Sequence, residues 1–508
     1  MPDLTRRSLI AAAGSTLAGA GLPAAAGKPN ILFICSDQHT GGAVGVNGHP
    51  IVKTPNLDRL AASGVSFRNA YSGNPVCVPG RASFMTGMYA SDVGSYCNST
   101  PFDGRVPTWG NRLKDIGYQC WATGKLDLCK GKDLGFREER TSHGHWSNPD
   151  ITSLFRMPTC FRPEERQNAN GSFTDREPPD QETAGRGIRF LKEEVPKSKQ
   201  PWCMYVGLGK PHPKFVAHSK YEQIYPPAKM PLPMWPEGYL EKRHLMFQTL
   251  ANFKNIQVPI PADRVRRARA AYFGLITELD EQIGNILAEL DRSGQRDNTL
   301  IVYTSDHGEM LGEHGLWLKN CLLDNANRVP MILSGAGLPK GKLIDTPVSH
   351  VDLIATMLDL AGAGVAKGLR GHSLAPMAGG QAGSHPGFAF SESHSEGNCT
   401  GSFMIRKGDW KYLYFTGGEP LLFNMKEGGE FVNLARDKKL AGVQKELHGH
   451  LTSLLDPDAV THAAFQRQDE VLKTLVRENS RADFYDTLVG RLGPIQARLL
   501  TDRHYGRT

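Results

Sequence analysis

The chain has 508 residues, of which 40% are hydrophobic and 22% are charged, and its formal net charge at pH 7 is +7. This length is too great for one small domain and suits a large α/β domain with a smaller second one. The sequence has no dense Lys/Arg stripe with interleaved aromatic residues, which argues against nucleic-acid binding, and the mild positive charge favours an anionic substrate. After the N-terminus no segment offers about 18 uncharged apolar residues, so no transmembrane span is predicted.

The first 26 residues have the pattern of an export signal. Arg6-Arg7 precede a run rich in Ala, Gly and Leu that closes on Ala24-Ala25-Ala26, an A-x-A cleavage pattern. Paired arginines are typical of bacterial twin-arginine signals. We therefore predict a signal over residues 1–26 and an exported, periplasmic or extracellular protein. The alternative is a helical or disordered N-terminus.

Two apolar runs, far apart in the chain, predict buried parallel strands that end in polar residues. The first run, 30–35, leads into Asp37-Gln38, and the second, 300–305, leads into Asp306-His307. Ligands of open α/β sheets bind at the carboxyl ends of the strands. We therefore expect these four polar residues to meet at one edge of a sheet.

One helix is predicted after the first of these strands and another before the second. Pro55 opens a helix predicted over 55–63, with Thr54 as N-cap and Gly64 as C-cap. A long amphipathic helix is predicted over 262–293.

A shift to Gly, Ala, Ser and Pro around 369–384 predicts a domain boundary. Short antiparallel strands are predicted beyond it, then a helix and a partly helical tail: 402–405, 410–415, 421–425, 437–455 and 456 onwards. We predict an α/β fold with a large, mostly parallel central sheet sandwiched by helices over 27–380. A smaller C-terminal α+β domain with a short antiparallel sheet and a helical tail follows over 381–508.

Nine cysteines are present, an odd number. Export permits disulfides among them, but sequence does not determine their pairing. No C-x-x-C pair occurs, which argues against a zinc or redox motif.

The sharpest motif is Cys77-Val78-Pro79-Gly80-Arg81, followed by Ala82-Ser83-Phe84-Met85-Thr86-Gly87. It resembles the signature of the sulfatase family, in which the cysteine is oxidised to formylglycine and hydrated to a geminal diol. The resemblance runs from Pro29-Asn30-Ile31 through Pro55-Asn56-Leu57 to Trp410-Lys411-Tyr412. It implies an alkaline-phosphatase-like fold and a sulfuric ester hydrolase. The alternative for Cys77 is a buried structural cysteine.

The chemistry implied by this resemblance suits a diol better than a thiol. A diol hydroxyl on a divalent cation is a good nucleophile towards sulfur, because metal-bound oxygens are acidified. The second hydroxyl lets the covalent sulfate leave by C–O cleavage, which a thiol does not allow. The resemblance therefore also implies a formylglycine-generating maturation enzyme as a partner.

The family resemblance implies a cation site formed by Asp37, Gln38, Cys77, Asp306 and His307. Sulfatases often have Asp-Asp and Asp-Asn where this chain has Asp-Gln and Asp-His, and Asp-Gln and Asp-His also occur in relatives that resemble phosphonate monoester hydrolases. Oxygen ligands dominate, which suits Ca²⁺ or Mg²⁺, whereas the imidazole shifts the balance towards Mn²⁺. We predict Ca²⁺. Taken singly, a carboxylate after a strand is also typical of a helix cap.

Four basic residues match family positions that act on the sulfate. Arg81, Lys125 and Lys319 match cations that neutralise the nucleophile and the sulfate oxygens, and fixed cations lower the barrier where charge develops. His212 matches the histidine that contacts the sulfate or the leaving oxygen, and a histidine can protonate an alkoxide. The alternatives are solvated surface lysines and a structural turn histidine.

One departure concerns the substrate. Many sulfatases have Gly-Lys-x-His where this chain has Gly124-Lys125-Leu126-Asp127. An anion beside sulfate is repulsive unless it is paired, turned outward or protonated, so Asp127 is expected to pair with Lys125 or to bind sugar hydroxyls. The segment is similar to the arylsulfatase K group of the family, which removes 2-O-sulfate from glucuronate. That similarity implies that His394 reaches the site from the C-terminal domain, and we place Asn98 with it among the substrate contacts; the alternative for His394 is a surface histidine.

Three hypotheses follow for the activity. The first is hydrolysis of a sulfated carbohydrate, with a 2-O-sulfated uronate as the specific expectation. The second keeps the superfamily but changes the ester to choline sulfate, a phosphonate or a phosphodiester; Gly48-His49-Pro50 and 52–56 resemble choline sulfatases, and a quaternary ammonium needs an aromatic cage or acids. The third is a catalytically inactive protein that binds sulfated glycans, with Cys77 unmodified.

Overall fold

The computed structural model describes residues 27–144, 150–156, 162–364, 368–381 and 383–506. The predicted export signal, 1–26, lies outside these ranges, as does Cys160. The strands are β1 (Asn30–Asp37), β2 (Gly64–Phe67), β3 (Ala70–Tyr71), β4 (Gln119–Lys125), β5 (Arg137–Ser142), β6 (Gly171–Thr174), β7 (Trp202–Pro211), β8 (Phe215–His218), β9 (Thr299–Ser305), β10 (Arg328–Val329), β11 (Met331–Ser334), β12 (Lys342–Ile344), β13 (Val348–Ser349), β14 (Phe388–Ser393), β15 (Ser402–Lys407), β16 (Trp410–Phe415) and β17 (Leu421–Asn424).

The helices in the same ranges are α1 (Pro55–Ala62), α2 (Cys77–Thr86), α3 (Trp109–Asp115), α4 (Glu165–Asn168), α5 (Pro179–Glu193), α6 (Lys220–Ile224), α7 (Tyr239–Lys242), α8 (Leu245–Phe253), α9 (Ala262–Arg292), α10 (Asp324–Asn327), α11 (His350–Leu360), α12 (Ala375–Ala378), α13 (Ala441–Leu454), α14 (Pro457–Glu478) and α15 (Arg481–Tyr505). Helix α15 is interrupted at Gly493, whose backbone is not helical.

An eight-stranded sheet in the order β12-β2-β11-β9-β1-β7-β4-β5 forms the centre of the fold. Among its described strands only β11 runs antiparallel to its neighbours. Every residue of β1 is buried, because its alternate side chains enter two different cores. Ile31 and Phe33 pack with α2, α3 and α11, whereas Leu32 and Ile34 pack with α5 and α9. The predicted sheet sandwiched by helices is therefore confirmed.

Strand register brings the two predicted polar ends together. Strand β9 lies beside β1 with Ser305 opposite Ser36, so Asp306 follows directly beside Asp37. On the other side of β1 lies β7, and β4 runs parallel to β7 and ends at Lys125. The carboxyl edge of the sheet thus collects acidic and basic side chains from separate parts of the chain.

A separate four-stranded antiparallel sheet, β14-β15-β16-β17, follows in the C-terminal part, with α13 against it. Its last three strands match the predicted ones closely. The predicted partly helical tail is helical through most of its length, in α14 and α15. Apolar side chains of these helices, Leu472 and Phe484 among them, share one buried cluster with Cys97, Ile151 and Phe253. The tail therefore packs against segments from much earlier in the chain.

Helix α1 ends one residue earlier than predicted, and the predicted glycine cap is wrong. The chain leaves the helix at Ser63, and Gly64 already belongs to β2. A Cβ on Gly64 would lie 2.1 Å from the carbonyl oxygen of Leu333, so the close approach of β2 and β11 explains the glycine.

Thr54 precedes α1 as predicted, but its side chain does not cap the helix. Its hydroxyl accepts a hydrogen bond from the Gly45 N–H instead. The carboxylate of Asp280, on α9, accepts the N–H groups of Asn56 and Leu57 at 3.0 and 2.8 Å. A distant carboxylate therefore satisfies the first turn of α1.

The eight cysteines inside the described ranges are all free thiols. None of the helices in those ranges is both long and apolar enough to cross a membrane.

Candidate active site

A buried cluster lies at the carboxyl edge of the central sheet. Asp37, Cys77, Asp306 and His307 each offer one ligand atom, and these atoms lie within 4.8 Å of one another. All four residues are shielded from solvent. The structure therefore brings together predicted site residues from the ends of β1 and β9 and from the start of α2.

Cys77 is the first residue of α2, a position that the local sequence favours. Pro79 lies in the first turn, where a missing N–H is tolerated. Gly80 permits a close approach, because a Cβ there would lie 2.6 Å from the Asn74 carbonyl oxygen and 3.2 Å from that of Asp306. The N–H of Val78 donates to Asn98 Oδ1 at 3.3 Å. The first turn of α2 therefore packs closely against the residue that follows β9.

Positive charge surrounds the Cys77 sulfur. Lys319 Nζ lies 2.8 Å and His307 Nε2 3.3 Å from Sγ. Burial acts to raise the pKa of Cys77, but the ammonium groups of Lys125 and Lys319, with His307, outweigh it and hold the pKa well below its usual value. This environment stabilises an anionic group at position 77.

Arg81, one turn further along α2, is fully buried and joins the ends of three strands. Its Nε lies 3.0 Å from Asp306 Oδ2, and its Nη1 donates to the Lys125 carbonyl oxygen and to the Tyr205 hydroxyl at 2.8 and 2.9 Å. Its Nη2 lies 3.5 Å from Asp37 Oδ2. Burial alone would lower its pKa, but Asp306 and other neighbours raise it well above its usual value. Arg81 is therefore a fixed cation behind the cluster.

Lys125 links two carboxylates. Its ammonium contacts Asp37 Oδ2 and lies 3.3 Å from Asp127 Oδ2. Burial and the Cys77 sulfur act to raise the pKa of Asp37, but nearby cations, Lys125 foremost, hold it below its usual range. Asp37 is therefore ionised and available as a ligand.

His307 and Gln38 present their ligand atoms because other groups hold their far ends. Nδ1 of His307 lies 3.0 Å from the Gly308 carbonyl oxygen, which orients the ring so that Nε2 faces the cluster. The Nε2 amide of Gln38 donates to the Glu309 carboxylate, and Gln38 Oε1 lies 3.1 Å from Lys319 Nζ. Two carboxylates, an amide oxygen and an imidazole nitrogen thus converge, and this donor set fits a divalent cation.

The imidazole of His212, after β7, is half-buried beside the cluster. Its Nδ1 lies 2.7 Å from the Pro213 carbonyl oxygen, which leaves Nε2 on the opposite side of the ring. A hydrogen bond from its side chain is one of the contacts that lower the pKa of Cys77. The structure therefore places His212 near Cys77.

Two family models match this chain. The model described as Sulfatase matches residues 29–363, more than half of the chain. The chain belongs to the sulfatase family. The model described as N-sulphoglucosamine sulphohydrolase, C-terminal, matches residues 312–456. The predicted membership and sulfuric ester hydrolase activity are thus confirmed.

The proteins that are similar to this sulfatase carry the names of enzymes for several different esters. A choline-sulfatase of Rhizobium meliloti (strain 1021) is 32% identical over 436 residues, which are 81% of this chain and 83% of the relative. An arylsulfatase K of Danio rerio is 27% identical over 494 residues, 92% of this chain and 90% of the relative. The structure of a phosphonate monoester hydrolase of Agrobacterium radiobacter aligns with a TM-score of 0.70 at 26% identity, covering 84% of this chain and 95% of that one.

Asp127 lies beside Lys125 in the sulfatase, with one carboxylate oxygen that accepts no hydrogen bond from the described part of the chain. The residue is 2% exposed and its backbone is left-handed, with a φ of 51°. Apart from the ion pair with Lys125, Asp127 Oδ2 accepts no hydrogen bond within the described residues. A buried carboxylate oxygen of this kind retains the capacity to accept a hydrogen bond.

His394 and Asn98 have other contacts in the sulfatase. His394 is fully buried, its Nε2 lies 2.9 Å from Glu392 Oε2, and its ring packs against Tyr96 and Phe403. Asn98 accepts the Val78 N–H and donates to Glu396 at 3.2 Å. Neither has a described hydrogen bond to the ligand atoms of the cluster.

Sequence reasoning missed several residues that touch the predicted ones, and Glu309 and Tyr205 are two of them. Glu309 contacts Gln38, and Tyr205 contacts Arg81. Glu309 had a signal, because it follows Asp306 closely in the same segment. Tyr205 had none, because it lies inside the apolar strand β7.

Proposed function

We propose that this sulfatase releases sulfate from a carbohydrate, specifically a 2-O-sulfated uronate. Asp127 carries the proposal, because its buried carboxylate beside Lys125 leaves an oxygen for a sugar hydroxyl. The arylsulfatase K relative supports hydrolysis of a sulfate ester. Asp127, Asn98 and His394 are the proposed substrate-binding residues.

A formylglycine derived from Cys77 is the proposed nucleophile precursor. In its hydrated form, one hydroxyl oxygen would attack sulfur, and the second hydroxyl would lose its proton to restore the aldehyde as the C–O bond to sulfate breaks. The surrounding residues favour such a group, because the cationic side chains that lower the pKa of Cys77 favour any anionic atom at that position. A maturation enzyme that oxidises Cys77 is therefore part of the proposal.

The chain's own residues supply charge and a proton. Lys319 contacts the Cys77 sulfur and Lys125 contacts the Asp37 carboxylate, and both neutralise the sulfate oxygens as charge develops on them. Arg81 fixes Asp306 and restricts its rotation. Nε2 of His212 donates a proton to the leaving alkoxide oxygen, while Nδ1 stays on the Pro213 carbonyl.

A divalent cation is the proposed cofactor, held by Asp37, Gln38, Asp306 and His307 beside residue 77. When bound, it acidifies an oxygen nucleophile and withdraws electrons from the sulfate. We propose Ca²⁺, because three of these four side chains offer oxygen. The His307 nitrogen makes Mn²⁺ the alternative to test, with Mg²⁺.

A screen for sulfate release tests the substrate. Defined sulfated glycosaminoglycan and algal oligosaccharides, choline sulfate, and 4-nitrophenyl sulfate and phosphate esters are compared at equal concentration. We expect the highest kcat/KM for a 2-O-sulfated uronate. Activity on choline sulfate alone would refute the carbohydrate proposal.

Choline sulfate is the second candidate, because the choline-sulfatase shares 32% identity with this chain. A quaternary ammonium needs an aromatic cage or acids, and Asp127 supplies an acid. Mass spectrometry of the peptide containing Cys77 tests a third candidate, a binding protein without turnover, because formylglycine lies about 18 Da below cysteine after oxidation.

The proposal extends to the organisation of the chain. Residues 1–26 act as a twin-arginine export signal, 27–380 form the catalytic domain and 381–508 the C-terminal domain. Such export moves folded proteins, in keeping with oxidation of Cys77 in the cytoplasm. Replacing Arg6 and Arg7 by lysine is expected to retain the protein in the cytoplasm, and unchanged export would contradict this.

A further inference from the structure

Lys254 is a fully buried lysine that is neither a proposed cation ligand nor a proposed catalytic or substrate-binding residue. It follows α8, and its ammonium donates to the Trp317 and Lys319 carbonyl oxygens at 3.2 and 2.8 Å and to Asn320 Oδ1 at 2.8 Å. Its ion-pair partner within the described residues, Glu165, is 3.6 Å away. All three ammonium protons therefore hold the segment that carries Lys319.

That segment has an unusual backbone. Leu318 and Asn320, the two neighbours of Lys319, both have left-handed φ values, 65° and 80°. For residues other than glycine this conformation costs about 1 kcal/mol or more each. Contacts from outside the segment must therefore stabilise it.

Glu309 holds the same segment from another direction. Its Oε1 accepts the N–H of Leu318 at 2.7 Å and that of Leu311 at 2.8 Å. Lys254 thus binds the carbonyl groups on either side of Leu318, while Glu309 binds the intervening N–H. Lys254 and Glu309 together fix the orientation of the peptide groups on both sides of Lys319.

Glu309 also determines which way the Gln38 amide points. Its second oxygen, Oε2, accepts from Gln38 Nε2, so the Gln38 carbonyl oxygen must face Lys319 and the cluster. If Gln38 rotated by 180°, it would direct an N–H group towards an ammonium ion and withdraw an oxygen ligand.

We infer that Lys254 and Glu309 are positioning residues that fix the Lys319 ammonium and the Gln38 amide oxygen in the active site. This inference rests on the proposed function of that site. A purely structural role explains the contacts less well, because a buried lysine is normally paired with a close carboxylate. Lys411 shows that ordinary arrangement: it is fully buried and lies 2.7 Å from both Asp324 and Glu430.

Lys411 therefore offers a matched control for Lys254→Met. Both variants remove one fully buried ammonium, but only Lys254 contacts the Lys319 segment. With 4-nitrophenyl sulfate, we expect Lys254→Met to lower kcat by about 10- to 100-fold through a displaced Lys319, with KM changed much less. Its inhibition constant for inorganic sulfate should rise. Lys411→Met should lower the urea midpoint at least as much and leave kcat within about twofold.

Equal losses of kcat in the two variants, or no loss in Lys254→Met, would overturn the role of Lys254. If Lys254→Met does not fold, the variant Glu309→Gln is used to test the inference instead. The carbonyl oxygen of the new side chain still accepts from Leu318, but its amide group repels the Gln38 amide. We expect a smaller rise in melting temperature when Ca²⁺ or Mn²⁺ is added to this variant than to the parent, and an equal rise would overturn the inference.

These readouts separate the inference from the proposed function. Turnover of 4-nitrophenyl sulfate does not depend on which natural ester is the substrate. If the parent lacks turnover, the proposed formylglycine chemistry fails, and the inhibition assay is replaced by direct titration with sulfate. Weaker sulfate binding by Lys254→Met than by Lys411→Met would then still support positioning, and equal binding would overturn it.

Discussion

The ammonium nitrogen of Lys319 lies 2.8 Å from the Cys77 sulfur, whereas that of Lys125 contacts the Asp37 carboxylate. Both lysines therefore contact proposed cation ligands, because Lys319 also lies 3.1 Å from Gln38 Oε1, but of these two contacts with positions 37 and 77 only that of Lys319 is to the proposed nucleophile. Lys125 is also partly tied to Asp127. Loss of Lys319 should consequently affect chemistry more directly than loss of Lys125.

Replacing Lys319 by methionine should lower kcat by about 10²- to 10³-fold, because a fixed cation no longer meets the developing charge. The measurement is steady-state hydrolysis of 4-nitrophenyl sulfate. Lys220→Met, which removes an exposed lysine paired with Glu281, serves as the control and should retain kcat. A loss below about threefold in Lys319→Met would show that its ammonium does not act on the reaction.

Replacing Arg81 by methionine should reduce the free energy of unfolding by about 3–5 kcal/mol, because Asp306 and Asp37 lose a buried cation. Urea unfolding in the presence of a chelator measures this without compensation by a metal. Tyr205→Phe removes a neutral partner of the same guanidinium and should cost only about 1 kcal/mol. Similar costs for both variants would mean that the ion pairs add little.

Replacing Asp127 by asparagine keeps the shape of the side chain and removes its charge. We expect kcat/KM for a sulfated uronate to fall by about 10- to 100-fold, because a hydrogen bond to a charged group contributes about 1.5–3 kcal/mol. The kcat/KM for 4-nitrophenyl sulfate should change much less. Asp127→His, which restores the common family residue, should shift preference away from the uronate; parallel changes on both substrates would contradict the proposed role.

Stability should depend on pH through Glu278, on α9. Burial raises the pKa of this carboxyl from 4.5 to about 7, although the His218 N–H partly opposes the shift. Between pH 4.5 and 7 the unfolded chain releases this proton while the folded chain keeps it, so the Glu278 contribution to stability falls as pH rises. Glu278→Gln should therefore be more stable than the parent at about pH 8 and similar at about pH 4.

Urea unfolding across this pH range measures the effect. Glu281→Gln, on the same helix, removes an exposed carboxylate paired with Lys220 and provides the control. It should leave the slope of stability against pH unchanged. If Glu278→Gln also leaves the slope unchanged, the carboxyl is ionised in the folded protein at neutral pH.

Removing the proposed cation should lower the melting temperature, because a ligand present at about 100 times its Kd stabilises the folded state by about 2.7 kcal/mol. Differential scanning fluorimetry with a chelator, followed by Ca²⁺, Mg²⁺ or Mn²⁺, gives the order of preference. Asp306→Asn should reduce the response to all three ions. A melting temperature that does not respond to any ion would contradict the assigned ligands.

The sequence predicted where the two polar strand ends meet, because buried parallel strands leave a strong apolar signal and their carboxyl ends share an edge. Asp37 and Asp306 accordingly lie side by side. The same reasoning predicted the C-terminal strands, whose alternating residues face α13 on one side. Periodicity over several residues is a robust signal because it reflects burial of a whole face.

Contacts made by single side chains across long distances in sequence were not predictable in the same way. Lys254 follows a helix end, a position typical of a solvated lysine, yet three groups from a segment some sixty residues later surround it. Asp280 likewise has the pattern of a helix surface residue, but it caps α1. Such pairings depend on the packing of complete elements, which local patterns do not encode.

The burial of Cys77 limits the time that is available for its proposed oxidation. Only 2% of the residue is exposed, so an oxidising enzyme cannot reach it in the folded protein. The wall formed by Asp306 and His307 does not exist until about 230 further residues have been synthesised, which takes roughly 10–50 s at the usual speed of translation. The proposed oxidation must therefore be complete before this part of the chain folds over Cys77, and slower elongation after residue 81 should increase the fraction of molecules that become active.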